Sequence, residues 1–111
     1  MTVTVKVLIP AKIAEASQTT QYTATGVTTI IDKFTATNYS ASAATISVNL
    51  VTSADTAGNQ NLVTKTKSLQ PAEVYTFPEL VGQVLAPSGF ISTIAGTATS
   101  INIRASGREV T

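Results

Sequence analysis

The side chains that could perform acid–base chemistry are six carboxylates: Glu15, Asp32, Asp55, Glu73, Glu79 and Glu109. Glycoside hydrolysis needs two carboxyl groups flanking one bond. Glu73 and Glu79 are the two nearest along the chain and the natural pair to test. Histidine and cysteine are both absent. Their absence removes Ser-His and Cys-His nucleophile arrangements and zinc sites built on thiolate or imidazole. Asp55, Gly58, Asn59 and Asn61 place oxygen ligands in one loop. Their spacing does not match an EF-hand, and the same residue types serve the backbone angles of ordinary turns. A sandwich of 111 residues also leaves little room for a substrate cleft. The carboxylates are therefore expected to be solvated loop and strand-end charges. No catalytic, cofactor-binding or metal-binding residue is assigned, and the chain is not expected to be an enzyme.

Other motifs receive equally plain readings. Asn38-Tyr39-Ser40 matches the glycosylation acceptor pattern. Residues Met1 to Ile9 lack the basic start and continuous apolar run of a signal peptide. The motif is thus expected to be a turn, and synthesis is expected in a cytoplasm. No stretch has the length of a membrane span, so no membrane partner is expected. Net charge is +1 and only 12% of residues are charged. Lys65, Lys67, Arg104 and Arg108 are read as scattered charges that protect strands from wrong pairing. Without a basic block, nucleic acid is not an expected partner.

The elements that must position these residues are strands. Thr and Ser supply roughly a quarter of the chain, well above ordinary usage, and alternation of polar and apolar residues recurs throughout. Val3, Val5, Val7 and Ile9 share one face of the first segment, which Pro10 interrupts. Thr28–Tyr39 and Thr45–Val51 read as a hairpin joined by the turn cluster Asn38–Ala43. Thr52–Asn61 is a polar loop. Strands are expected at 62–69, 74–77, 90–95 and 100–106, with Gly107 bending the last one. Leu80, Val81, Val84 and Leu85 fall at helical spacing, which predicts one short helical turn within Pro78–Gly89. The expected core is Val5, Val7, Ile30, Phe34, Ile46, Val48, Leu50, Leu80, Leu85, Ile91, Ile101 and Ile103.

About eight short strands with turn residues between them predict an all-β protein, an antiparallel β-sandwich of jelly-roll type. One domain spans residues 1–111. Within it, residues 1–12 are a candidate intersubunit strand or arm.

Three segments resemble a known family. They are Ile30-Ile31-Asp32-Lys33-Phe34-Thr35-Ala36-Thr37-Asn38 with Thr45-Ile46-Ser47-Val48-Asn49-Leu50, then Leu80 to Ser92, then Ile101 to Val110. With the length and composition, they resemble the capsid decoration (cement or staple) proteins of epsilon15-like tailed phages, from about Thr20 onward. The resemblance implies a β-jelly-roll on the outer surface of an icosahedral virion. It would bind the major capsid protein and reinforce the shell. Self-association is also expected, with a homodimer favoured over a trimer, because a small sandwich has open sheet edges. The alternative is another virion or adhesion module: a head-fibre base, a baseplate piece or a glycan-binding sandwich.

Overall fold

A computed structural model describes residues 1–111, and it is all-β. Nine strands follow in order: β1 (Val3–Ile13), β2 (Thr19–Thr23), β3 (Thr28–Asn38), β4 (Ala44–Val51), β5 (Leu62–Leu69), β6 (Val74–Tyr75), β7 (Val84–Leu85), β8 (Phe90–Ala95) and β9 (Ile101–Val110). They form two antiparallel sheets packed as a β-sandwich. The first runs β1-β9-β3-β6, with β7 also paired to β3; the second runs β2-β8-β4-β5. The boundaries of β5 and β8 match the sequence expectation, because turn residues flank both.

Between the sheets lie Ile9, Ile31, Phe34, Ile46, Val48, Leu69, Phe77, Leu80, Ile91, Ile101 and Ile103, all fully buried. Phe77 anchors the aromatic part. Its ring meets Phe34 edge-on at 4.7 Å and Tyr75 at 4.6 Å. To place that ring inward, Phe77 adopts φ 44°, a left-handed conformation unfavourable for a bulky residue.

Four expectations are corrected. First, β3 and β4 are not a hairpin, since they lie in different sheets. Asn38 turns the chain from one sheet to the other. Its fully buried amide donates to Ser42 O (2.8 Å) and Leu69 O (2.9 Å), and its Oδ1 accepts from Ser40 N (2.9 Å). Second, Pro78–Gly89 contains no helical turn. Leu80 N bonds to Phe77 O and Gln83 N to Leu80 O, two successive turns that lead into β7. The only helical turn is a 3-10 turn at Asn59–Asn61.

Third, Val5 and Val7 are not core: they are 84% and 42% exposed, and Ile30 and Leu50 are half-buried. Single-residue bulges explain the first strand and the displacement at Ile30. Leu8 is the extra residue of β1 against β9, and Asp32 the extra residue of β3 against β9. Each bulge reverses the side-chain parity beyond it, so Leu8, Ile9 and Ile31 turn inward. Fourth, β9 does not bend at Gly107 but continues to Val110. Likewise β1 continues through Pro10 to Ile13, with one edge tied to β9 of its own chain and the other edge open.

Candidate functional site

The carboxylates do not converge. Glu73 accepts a hydrogen bond from Gln70 N (2.8 Å), which closes the turn before β6. Glu79 accepts from Thr64 Oγ1 and from Tyr75 Oη (2.7 Å). Burial pushes the Glu79 carboxyl up, but these hydrogen bonds outweigh it and hold the group below its usual range. The same contact, with burial, raises the Tyr75 phenol to about 12. Lys67 Nζ lies 4.8 Å from the centre of the Tyr75 ring. Asp55 accepts from Thr56 N (2.8 Å) and faces Gln60 and Asn61 within its own loop. The Thr56 amide is the main cause of its lowered pKa. No three carboxylates gather where a metal ion could be held.

The basic residues divide between the sheets, Lys65 and Lys67 on β5 and Arg104 and Arg108 on β9. Several charges are neutralised locally. Arg108 forms a two-pronged pair with Asp32 (2.9 and 3.0 Å), Lys12 pairs with Glu15 (2.9 Å), and Lys6 lies 3.4 Å from Glu109. Tyr22 Oη donates to the same Glu109, and burial with this contact raises its pKa to about 12.

A polar cluster on the outer face of the second sheet was not foreseen. Ser47 and Asn49 on β4 and Ser92 on β8 are buried although they point away from the core. The Thr52–Asn61 loop closes over Asn49, the Thr66 amide donates to Ser47 Oγ (2.8 Å), and Gln18 with Thr19 engages Ser92. Asn49 Nδ2 donates to Asn61 Oδ1 (2.7 Å) and Gly58 O (3.0 Å); Gln18 Nε2 donates to Ser92 Oγ (2.7 Å) and lies 3.3 Å from Asn49 Oδ1. Every buried side-chain nitrogen and oxygen in the protein has a partner, as buried polar groups require. A shallow cleft of about 170 Å³ opens beside the cluster, lined by Gln18, Asn59, Leu62, Lys65 and Ile94 among others. A second, more apolar one of about 150 Å³ lies between Leu50–Ser53 and Val84–Ala86. Both are smaller than the roughly 300–1,000 Å³ of ligand pockets.

The outer face of the first sheet differs. Val3, Val5 and Val7 stand on β1 opposite Val110, Arg108 and Ser106 of β9, and Ile30 and Val84 extend the row. Val3, Val5 and Val84 are more than half or about half exposed. The molecule thus presents an apolar strip on one sheet, interrupted by the Asp32-paired Arg108, and a hydrogen-bonding surface on the other whose charges are the β5 lysines. No family model, curated protein or solved structure matches the chain.

Proposed function

We propose that this protein is a structural component of a virion, binding the outside of an icosahedral phage head and reinforcing contacts between major capsid protein subunits. The observation that carries the reading is the chemistry of its surface. Charges are few, three of the seven cations are ion-paired within the chain, most carboxylates are engaged by their neighbours, and much of the remaining surface is Thr, Ser, Asn and exposed valine on a sandwich. Such a surface suits docking against protein. The resemblance of β3–β4, Leu80–Ser92 and β9 to phage decoration proteins supports the same role. The strand order β1-β9-β3-β6 over β2-β8-β4-β5 supports the jelly-roll form, with β7 as an addition. The adhesion-module alternative has less support, because glycan sites stack sugars on aromatic rings. Phe34 and Phe77 are buried, and Tyr39 is the only large exposed aromatic.

Binding to the assembled shell stabilises it by mass action, and one molecule bridging two subunits raises the effective concentration at each contact. The test is co-sedimentation with heads lacking the protein, at low and high salt, with a heat-release assay of the packaged genome. Binding should persist in moderate salt, unlike a phosphate-backbone contact, and heads carrying the protein should release their genome at higher temperature. Heads equally robust without it would refute the reinforcing role. Retention on a glycan array instead would favour the adhesion module.

A further inference from the structure

Four strands bound the two sheets and one more flanks β3, and most of these carry features that discourage pairing with another chain. β6 and β7 have two residues each. β2 has five and a bulge at Gln21. β5 is broken by a bulge between Thr64 and Lys67, where Thr66 takes φ 43° and Lys65 and Lys67 add charge. Short length, bulges and lysines are the usual protections of an edge. β1 is the exception. Beyond its bulge at Leu8, Pro10 has no N–H to offer, but Val3–Val7 is regular, unbulged and exposed at every residue.

The register defines what this edge presents. Thr2 and Thr111 exchange both backbone hydrogen bonds, at 3.1 and 3.0 Å. Antiparallel pairs alternate, so Thr4 and Lys6 also bond to β9, while the N–H and C=O groups of Val3, Val5 and Val7 point to the open side. These are three evenly spaced donor–acceptor pairs beneath exposed valine side chains.

We propose that the open edge of β1 is the seam of a two-fold homodimer in which Val3–Val7 of two copies pair antiparallel about Val5. This inference is independent of what the protein coats. Val5 opposes Val5 of the second copy and Val3 opposes Val7, so each opposed pair exchanges two backbone hydrogen bonds. The six valines form one continuous apolar strip across the joined sheets. The segment's single charge, Lys6, falls opposite Thr4, so no like charges are directly opposed. A five-residue seam is about 17 Å long and buries much less than the roughly 800 Å² a side of a stable dimer. The association is therefore concentration-dependent, and covalent trapping is the way to read it.

The chain has no cysteine, so an introduced thiol is unique. In the proposed pairing, position 5 meets itself at a Cα separation of about 5.5 Å, within the disulfide range of about 4.4–6.8 Å. Position 3 lies about 14 Å along the seam from its own copy. Under mild oxidation V5C should link to itself, roughly tenfold or more faster than V3C, as effective concentration dictates; a mixture of V3C and V7C should link to each other. Val5 is 84% exposed, so these variants should melt like the parent. As a second reading, sedimentation of the unmodified chain should show mass rising with concentration. V5K, which opposes two ammonium groups, should remain monomeric. V5C that stays monomeric, V3C that links as fast as V5C, or V5K that still dimerises would each overturn the seam. None of these outcomes depends on head binding, which is measured separately.

Discussion

Gly107 on β9 lies so close to Ile30 on β3 that a Cβ atom on it would fall 2.1 Å from the Ile30 carbonyl oxygen and 3.0 Å from Leu8 Cδ1. The backbone there is ordinary strand, so the requirement is space and not a special dihedral. The bulges at Leu8 and Asp32 flank this point on either side of β9. Replacing Gly107 by Ala should force β3 and β9 apart and cost about 1–3 kcal/mol. Thermal melts of the two proteins check it, and an unchanged melting temperature would contradict the close approach.

Phe34 is fully buried and meets Phe77 edge-on. Phe34→Ala should destabilise by about 3–5 kcal/mol. A double-mutant cycle with Phe77→Leu should return a coupling of about 0.5–1.5 kcal/mol, the value of an aromatic pair beyond its area. Chemical denaturation measures both.

Asn38 gives two N–H groups to backbone carbonyls at the crossing from β3 to β4, that of exposed Ser42 and the buried one of Leu69. Asn38→Ala should cost about 1–3 kcal/mol, chiefly by leaving the buried Leu69 carbonyl unpaired. Asn38→Asp should be worse near neutral pH, where a carboxylate faces two carbonyl oxygens, and should recover in part when acid protonates it. Melting curves at two pH values distinguish the cases.

Stability should fall at both ends of the pH scale. Tyr22 and Tyr75 have pKa values raised from 10 to about 12, Tyr22 chiefly by burial and Tyr75 chiefly by its bond to Glu79. A raised pKa favours the protonated folded form. Its contribution is complete below 10 and is lost as pH rises from about 10 to about 12. Glu15 is held below 4.5 by Gln21 and then Lys12, and Glu79 is lowered despite burial. Their contributions are present above 4.5 and are lost as pH falls below it. Melting temperature against pH should show a plateau between these limbs, and Tyr75→Phe should weaken the alkaline one.

How far the sequence was legible depended on the range of each interaction. Alternation and turn residues located β5 and β8, and eight of the twelve expected core residues are in the buried cluster, because those signals are local. The facing of β1 and β3 was lost at Leu8 and Asp32: a bulge depends on what the neighbouring strand does, and no residue in a run such as Val-Leu-Ile declares it. Phe34 was placed on the correct face while Ile30 was not, since the bulge at Asp32 lies between them. The partition of β3 and β4 into different sheets depended on Asn38 reaching Leu69, 31 positions away. The Gln18–Ser92 contact spans 74 positions. Nothing near Ser92 marks it as buried or Gln18 as its partner, so the polar cluster was not visible in the sequence.

The central position of β9 has a consequence for biosynthesis. β9 lies between β1 and β3, and β8 lies between β2 and β4. Each sheet is therefore completed by a strand made late, between partners made early. While the nascent chain emerges from the ribosome, Ile9, Ile31 and Phe34 have no neighbour from Ile101–Val110 to pack beside. Non-local pairing of this kind is slow, on the order of milliseconds to seconds. Folding must wait until Ile101–Val110 has cleared the exit tunnel, and the early strands remain open to chaperones until then.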